Sequence, residues 1–218
     1  MIPPAVSKDL VNRVRGLLGV DVSHRLAGLA VINLLEPGTV TSGDAGHAVA
    51  EALRQAGVSG VASGPEQAIG WTAVVDYADA LGVRVAAPTL TAGAVRAWVT
   101  AEEPRVSVSI SRYLLALQHT GHLRRGPALD RLVARVATEL RQPERTESIV
   151  LFSGALAIQA ATGRPALTDR QLRQQIAARD GQCLGGFGGF VRDLPAAGTA
   201  CDADATWFAT LLGKELDR

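Results

Sequence analysis

The chain has 218 residues, 47% of them hydrophobic, and its 22 basic and 21 acidic residues give a formal net charge of +1. This length suits one large or two small domains, and the near-neutral charge excludes a protein that holds nucleic acid over its whole surface. The two cysteines are too few for a disulfide framework, and no run of about twenty apolar residues predicts a membrane span.

The N-terminal quarter of the chain predicts three amphipathic helices. Apolar residues recur there at spacings of three and four, the period of a helix with one buried face. The three segments read "KDLVNRVRGLLG", "HRLAGLAVINLL" and "GDAGHAVAEALRQAG". A serine precedes each segment, and its hydroxyl is suited to accept a hydrogen bond from the first turn. These predicted N-caps are Ser7, Ser23 and Ser42.

The middle of the chain predicts further helices separated by short strands. "SGPE", residues 63–66, is a capping-box pattern, and we expect the helix that it begins to run to about Leu81. Alternating apolar residues predict a short strand from Val83 to Pro88, and "HLRRG", residues 122–126, predicts another. Between these strands, "AGAVRAWVTA" and "VSVSISRYLLALQHTG" predict two helices broken by "EEPR".

The C-terminal part predicts four more helices. "GPALDRLVARVATELRQ" carries its leucines and valines on one stripe. Gln142 to Glu147 is the expected linker, and the following "SIVLFSGALAIQAATG" is apolar nearly all round, which predicts a buried helix. Thr168 is the expected cap of the next helix, and Asp202 or Asp204 that of the last one.

The order of these elements predicts a mainly α fold. We expect a multi-helix protein with two or three short minor strands and a winged-helix-like segment at residues 83–125. The linker divides it into a helical region at 1–142 and a C-terminal helical region at 143–218. A single compact domain spanning 1–218 is the alternative.

The segment "LTAGAVRAWVTAEEPRVSVSISRYLLALQHTGHLRRG" has the order helix, break, helix, short strand. Arginine is concentrated in its second half and just beyond it: between positions 105 and 135 the chain has six arginines and one acid, Asp130. The stretch "SRYLLALQHTGHLRR" is similar, in the order and spacing of its residues, to the recognition-helix region of bacterial winged helix-turn-helix regulators. That resemblance implies a DNA-binding module at residues 90–125, with a first helix around Val95 and a recognition helix around Arg112.

The resemblance to winged helix-turn-helix regulators also indicates which side chains would contact DNA. Arginine and serine side chains on the outer face of a recognition helix contact phosphates and base edges. The expected nucleic-acid-binding residues are Arg105, Ser107, Ser109, Arg112, His119, Arg124 and Arg125. We therefore expect Arg112 to be exposed, while Ile110, Leu114 and Leu117 face the core.

Near the C-terminus, "GGFVRDLPAAGTACDAD" combines paired glycines with two aspartates. Glycine amides are suited to hold phosphate, and carboxylate oxygens are ligands that Mg²⁺ prefers. The stretch resembles the head motif of the tRNA CCA-adding nucleotidyltransferases. The resemblance implies phosphate contacts at Gly188, Gly189 and Arg192, and metal ligands at Asp202 and Asp204.

Other polar residues carry weaker patterns. His119 and His122 with Cys183 and Cys201 give a Cys2His2 set, but these cysteines lack the close spacing of zinc sites, so no metal is expected. The aspartates in "VVDYADAL" share one helix face, and we expect them to face solvent or to pair with other charged groups.

These patterns lead to one main hypothesis and two alternatives. The main hypothesis is a cytoplasmic, DNA-binding transcriptional regulator whose flanking helices form a homodimer or bind a small-molecule effector. The first alternative is an enzyme of secondary or nucleotide metabolism, with the glycine-rich loop 185–204 near its site. The second is a helical scaffold that binds a partner protein. No cofactor and no membrane contact are expected.

Overall fold

Nine α-helices make up most of the part of the chain that the structure, a computed structural model, describes. The described residues are 10–16, 18–19, 21–56, 61–62, 65–86, 89–90, 107–119, 121–180 and 203–216. The helices are α1 (Leu10–Arg15), α2 (Val22–Leu35), α3 (Ser42–Ala56), α4 (Pro65–Ala80), α5 (Ser107–His119), α6 (Pro127–Glu139), α7 (Ser148–Thr162), α8 (Asp169–Asp180) and α9 (Ala203–Leu216). The prediction of a mainly α-helical protein is confirmed.

The β component differs from the prediction. Val61–Ala62 (β1) pairs in parallel with Thr89–Leu90 (β2), and this pairing is two residues long. The strands expected after α4 and after α5 are not formed by the described residues 83–86 and 122–125. In both places a left-handed glycine ends the helix, and the next backbone N–H turns back to that helix instead of pairing with a strand. These bonds run from Val83 N to Ala78 O (2.8 Å) and from His122 N to Leu117 O (2.7 Å).

The helix-turn-helix segment is therefore described only in part. Its expected first helix, around Val95, lies outside the described residues. Its expected recognition helix is α5, and the described residues that follow α5 form no wing strand. The division of the chain at residue 142 stays a prediction.

Helix α7 lies at the centre of one group of helices, in contact with α5, α6 and α9. Its buried residues lie on all sides, as the uniformly apolar sequence predicts. Helix α2 contacts α1, α3, α4 and α9, and α4 contacts α2, α3 and α5. The two groups of helices thus meet along α4 and α5, and again along α9, which touches α2 as well as α7.

The helix starts show which polar residues act as caps. Thr168 accepts from Gln171 N (3.3 Å) and Gln171 accepts in return from Thr168 N (2.9 Å), so this predicted cap is confirmed. Helix α2 is capped by Asp21 rather than Ser23, because Asp21 Oδ1 accepts from His24 N at 2.8 Å and Ser23 lies inside the helix. Helix α3 begins one residue after Thr41, whose hydroxyl accepts from Asp44 N at 3.1 Å.

Candidate functional site

Three adjoining cavities follow α4 and form what we call the α4 passage. The wide cavity, about 920 Å³, lies between α4, α5, α7 and α9. The narrow cavity, about 20 Å³, shares Asp76 and Trp207 with the wide one. The inner cavity, about 220 Å³, shares Tyr77 and Arg112 with the narrow one and reaches α2 and α3. The three cavities thus lie side by side, from the cleft beside α9 towards the N-terminal helices.

The wide cavity has an aromatic and aliphatic floor. Trp207 and Phe208 of α9 supply its centre, and Leu115 of α5 and Leu156 of α7 supply its sides. Both aromatic residues are buried, so their rings have fixed surroundings. The Tyr77 and Trp207 rings meet edge to face, with centroids 5.1 Å apart and planes at 81°. This contact between α4 and α9 orients the indole at the junction of the wide and narrow cavities.

The polar groups of the wide cavity are acids and amides. Asp76 and Asp79, three positions apart on α4, contribute carboxylates from one side, and Glu215 of α9 contributes a third from the other. Gln159 of α7 donates from Nε2 to Glu215 Oε2 at 2.7 Å, which fixes the position of that carboxylate. None of the described residues that line this cavity is basic. The cavity therefore presents negative charge above an apolar floor.

These carboxylates surround a space instead of converging on a point. In the described ranges no three His, Cys, Asp or Glu side chains are close enough together to hold a metal ion. A metal ion needs several oxygen ligands within about 2.0–2.6 Å.

Arg112 lines the narrow and inner cavities together with Tyr77 and Ala73. It is half-buried and faces α4, so it lacks the exposure that the helix-turn-helix hypothesis expects. The expected burial of Ile110, Leu114 and Leu117 is found, at 1%, 0% and 4% exposure. Helix α5 contacts both α7 and α4. Arg112 and Leu115 of α5 thus share the lining of the narrow cavity with Ala73 and Tyr77 of α4.

The other expected nucleic-acid-binding residues belong to α5, to the loop that follows it and to the part of the chain that is not described. Arg124 and Arg125 are exposed in the loop between α5 and α6, where Arg124 Nη1 donates to Gly121 O at 3.0 Å. Ser107, Ser109 and His119 belong to α5, and Arg105 lies outside the described residues. Arg112 lines the narrow and inner cavities, whereas these two loop arginines line neither of them.

The residues of the nucleotidyltransferase motif fall mostly outside the described ranges. This holds for Gly188, Gly189, Arg192 and Asp202, and also for Cys183 and Cys201. Asp204 lies in the first turn of α9, which begins at Ala203.

Sequence reasoning assigned no function to the residues that form the wide cavity. It expected the two aspartates of α4 to face solvent or to pair with other charged groups, and this expectation does not include a cavity. One available signal was that Asp76 and Asp79 alternate with buried residues along "VVDYADA", so their helix has no cleanly polar face. The partner elements α7 and α9 are distant in sequence, and no local pattern links them to α4.

Comparison with known proteins provides no further assignment. No family model matches this chain, and neither a curated protein nor a solved structure matches it. Among the described helices, none has the length and apolar character needed to cross a membrane.

Proposed function

We propose that this protein binds a small organic cation with an apolar body in the wide cavity. The observation that carries the proposal is the cavity itself: about 920 Å³, with an aromatic floor and with acids and amides as the polar groups of its described lining. Ligand sites typically have volumes of about 300–1,000 Å³ and combine an apolar lining with a few polar groups.

The charge of the lining favours a cation over an anion. Asp79 and Glu215 repel an anionic group and attract an ammonium group, and the edges and faces of Trp207 and Phe208 receive the apolar part. Attraction is stronger in a cleft than on an open surface, because the protein walls lower the local dielectric constant. An aromatic face adds a favourable contact with a positive charge.

A matched set of ligands tests this proposal: 3-phenylpropylamine, 3-phenylpropanol and 3-phenylpropionate share one skeleton and differ in charge. We expect the amine to raise the melting temperature most, because the carboxylates of the lining attract its ammonium group. A ligand at about 100 times its Kd stabilises the folded state by about 2.7 kcal/mol. We also expect the amine to change the fluorescence of Trp207, and we expect this change to be absent in Trp207→Phe.

Two variants locate the charge that is recognised. Asp79→Asn and Glu215→Gln remove one carboxylate each from the wide cavity and should weaken amine binding. Asp130→Asn is the control, since Asp130 is an exposed carboxylate of α6 that does not line this cavity. Equal stabilisation by all three ligands, or unchanged amine binding in both cavity variants, would refute recognition of a cation.

A second candidate function, DNA binding by a regulator that uses the cavity for its effector, is supported by a different observation. Arg124 and Arg125 are exposed beside α6, whose Arg131 and Arg135 are exposed as well. Such a surface is suited to contact phosphates of the DNA backbone. Because Arg112 lines the α4 passage, this candidate no longer assigns it to base edges.

Fluorescence anisotropy with a random duplex at several salt concentrations tests the second candidate. Replacing both Arg124 and Arg125 with alanine should weaken binding and reduce the salt slope by about two units, one for each phosphate contact. Arg54→Ala, an exposed arginine on α3, is the control. Absence of duplex binding at low salt, or an unchanged slope in the double variant, would remove DNA from consideration.

A further inference from the structure

A separate cavity, here called the loop cavity, lies between the end of α5 and the start of α6. Its volume is about 250 Å³, and it is lined by residues of α5, of the connecting loop and of the first two turns of α6. Four leucines form its apolar walls: Leu117, Leu123, Leu129 and Leu132. None of these residues lines the α4 passage, so the two sites are distinct.

The charges around the loop cavity are opposite in sign to those of the wide cavity. Arg124 and Arg125 line it, together with His122, and none of the described residues of its lining is acidic. A guanidinium group presents five N–H donors in a planar fork that matches a carboxylate. The lining thus combines apolar walls with two cationic groups that are accessible from solvent.

The loop that forms this cavity has a fixed backbone. Gly121 adopts a left-handed conformation with φ of 72°, and Leu117 O accepts from both His122 N (2.7 Å) and Leu123 N (2.9 Å). This arrangement is the helix-ending motif that satisfies the last carbonyls of α5. A wall that is already ordered loses little conformational entropy when a ligand binds.

We propose that the loop cavity binds a small carboxylate with an apolar tail. Its walls hold the tail, and Arg124 and Arg125 hold the carboxylate. The volume sets the size of the ligand: at about 30 Å³ for each non-hydrogen atom, a value taken from water, 250 Å³ accommodates about eight such atoms. Hexanoate has this size and serves as the probe. The proposal does not depend on cation binding in the wide cavity.

Titration of hexanoate into the ¹⁵N-labelled full chain, followed by amide chemical shifts, tests the proposal. The shifts should move at Leu123 and Leu129 and stay unchanged at Trp207, and hexylamine and hexanol should not reproduce them. Replacing both Arg124 and Arg125 with alanine should weaken hexanoate binding about tenfold or more, given the usual contribution of charged hydrogen bonds.

Two further variants keep the proposal falsifiable. Ala128→Leu places a larger side chain on the cavity wall and leaves both arginines in place, so it should abolish hexanoate binding while the melting temperature stays near that of the parent protein. Arg131→Ala removes an exposed arginine of α6 that does not line the cavity, and it should bind hexanoate normally.

The outcomes separate this site from the DNA surface. Filling the cavity with Ala128→Leu should not change the salt slope for duplex DNA, whereas Arg131→Ala should lower that slope if the DNA candidate holds. Hexanoate that binds Ala128→Leu as tightly as the parent protein, hexylamine that binds equally well, or shifts that appear only elsewhere would each overturn the proposal.

Discussion

Gly154 of α7 lies close to residues of α5 and α6. A β-carbon added there would lie 2.9 Å from Val136 Cγ1 and 3.1 Å from Leu140 Cδ1, with Ser111 Oγ at 3.6 Å. All three neighbours are buried, and the β-branched Val136 has little freedom to turn away. Glycine at this position therefore allows the three helices to approach closely.

Alanine should have opposite effects at two helical glycines. Gly154→Ala gains about 1 kcal/mol in helix propensity but introduces overpacking that costs about 1–3 kcal/mol, so we expect a net loss of stability. Gly46→Ala in α3 meets no atom within 4 Å and should stabilise the protein by about 0.4–1 kcal/mol. Chemical denaturation of both variants measures the difference, and a stabilised Gly154→Ala would contradict the close approach of these helices.

Arg179 is a buried cation at the end of α8. Its Nη2 donates to Pro143 O (2.8 Å) and Thr146 O (3.1 Å), and its Nη1 donates to the side chain of Gln175. Burial lowers the pKa of its guanidinium, and the charge of Glu144 opposes that shift. Arginine remains protonated over the usual pH range. The side chain therefore fastens α8 to the turn between α6 and α7 under all ordinary conditions.

At the scale of the element, several helix ends are completed by groups from other parts of the chain. Lys214 Nζ of α9 donates to Leu34 O at the end of α2 (2.7 Å), and Arg173 Nη2 of α8 donates to Leu216 O at the end of α9 (2.6 Å). Asn33 Nδ2 donates to Ala80 O at the end of α4 (2.8 Å). The last carbonyls of a helix lack partners within it, so these long-range bonds stabilise both the helix and its packing.

The start of α2 should make stability depend on pH. The bond from the backbone of His24 lowers the pKa of Asp21 below 3.8, desolvation opposes this, and the His24 side chain lowers the pKa further. A carboxyl with a lowered folded pKa stabilises the protein fully above its unfolded pKa, and this contribution is lost as pH falls through the folded value.

Melting temperatures between pH 6 and pH 2 check this dependence. Asp21→Asn keeps an N-cap of similar quality and should lie below the parent protein at pH 6 but approach it at the acidic end. Asp21→Ala should lose about 1 kcal/mol at pH 6, because it has no capping atom. A difference in melting temperature between the parent protein and Asp21→Asn that grows as pH falls would contradict stabilisation by the ionised Asp21 carboxylate.

How far the sequence predicts this structure depends on how local the deciding contacts are. Helices such as α6 and α7 follow from the spacing and amount of apolar residues within single segments. The cap of α2 was misplaced by two residues, because Asp21 and Ser23 are both suitable acceptors and only the backbone decides between them. The orientation of Arg112 was missed because α4, which covers it, lies far away in the chain. The α4 passage was missed for the same reason.

At the scale of the whole molecule, α9 joins the two groups of helices. It contacts α2 in the N-terminal group and α7 and α8 in the other, and Trp207, Phe208 and Leu212 belong to the buried core. Its residues also form the centre of the wide cavity floor. The stability of the whole protein and the shape of its candidate site therefore depend on one helix.

Removing α9 should affect folding beyond the loss of one helix. A chain that ends at residue 202 would expose apolar faces of α2 and α7, so we expect it to lose the cooperative thermal transition of the parent protein. A chain that ends at residue 216 retains α9 and should keep that transition. Circular dichroism during heating distinguishes the two, and a sharp, parent-like transition without α9 would contradict its joining role.

The bond between Lys214 and Leu34 spans 180 positions of sequence, which has a consequence for biosynthesis. Of the described helices, α9 is the last to emerge from the ribosome, so the end of α2 lacks the group that completes it until 180 further positions have been synthesised. Contacts this distant form slowly, because a long loop must close before they contribute. During translation the nascent chain therefore displays the uncovered faces of α2 and α7, and it is in that interval that aggregation or chaperone capture competes with folding.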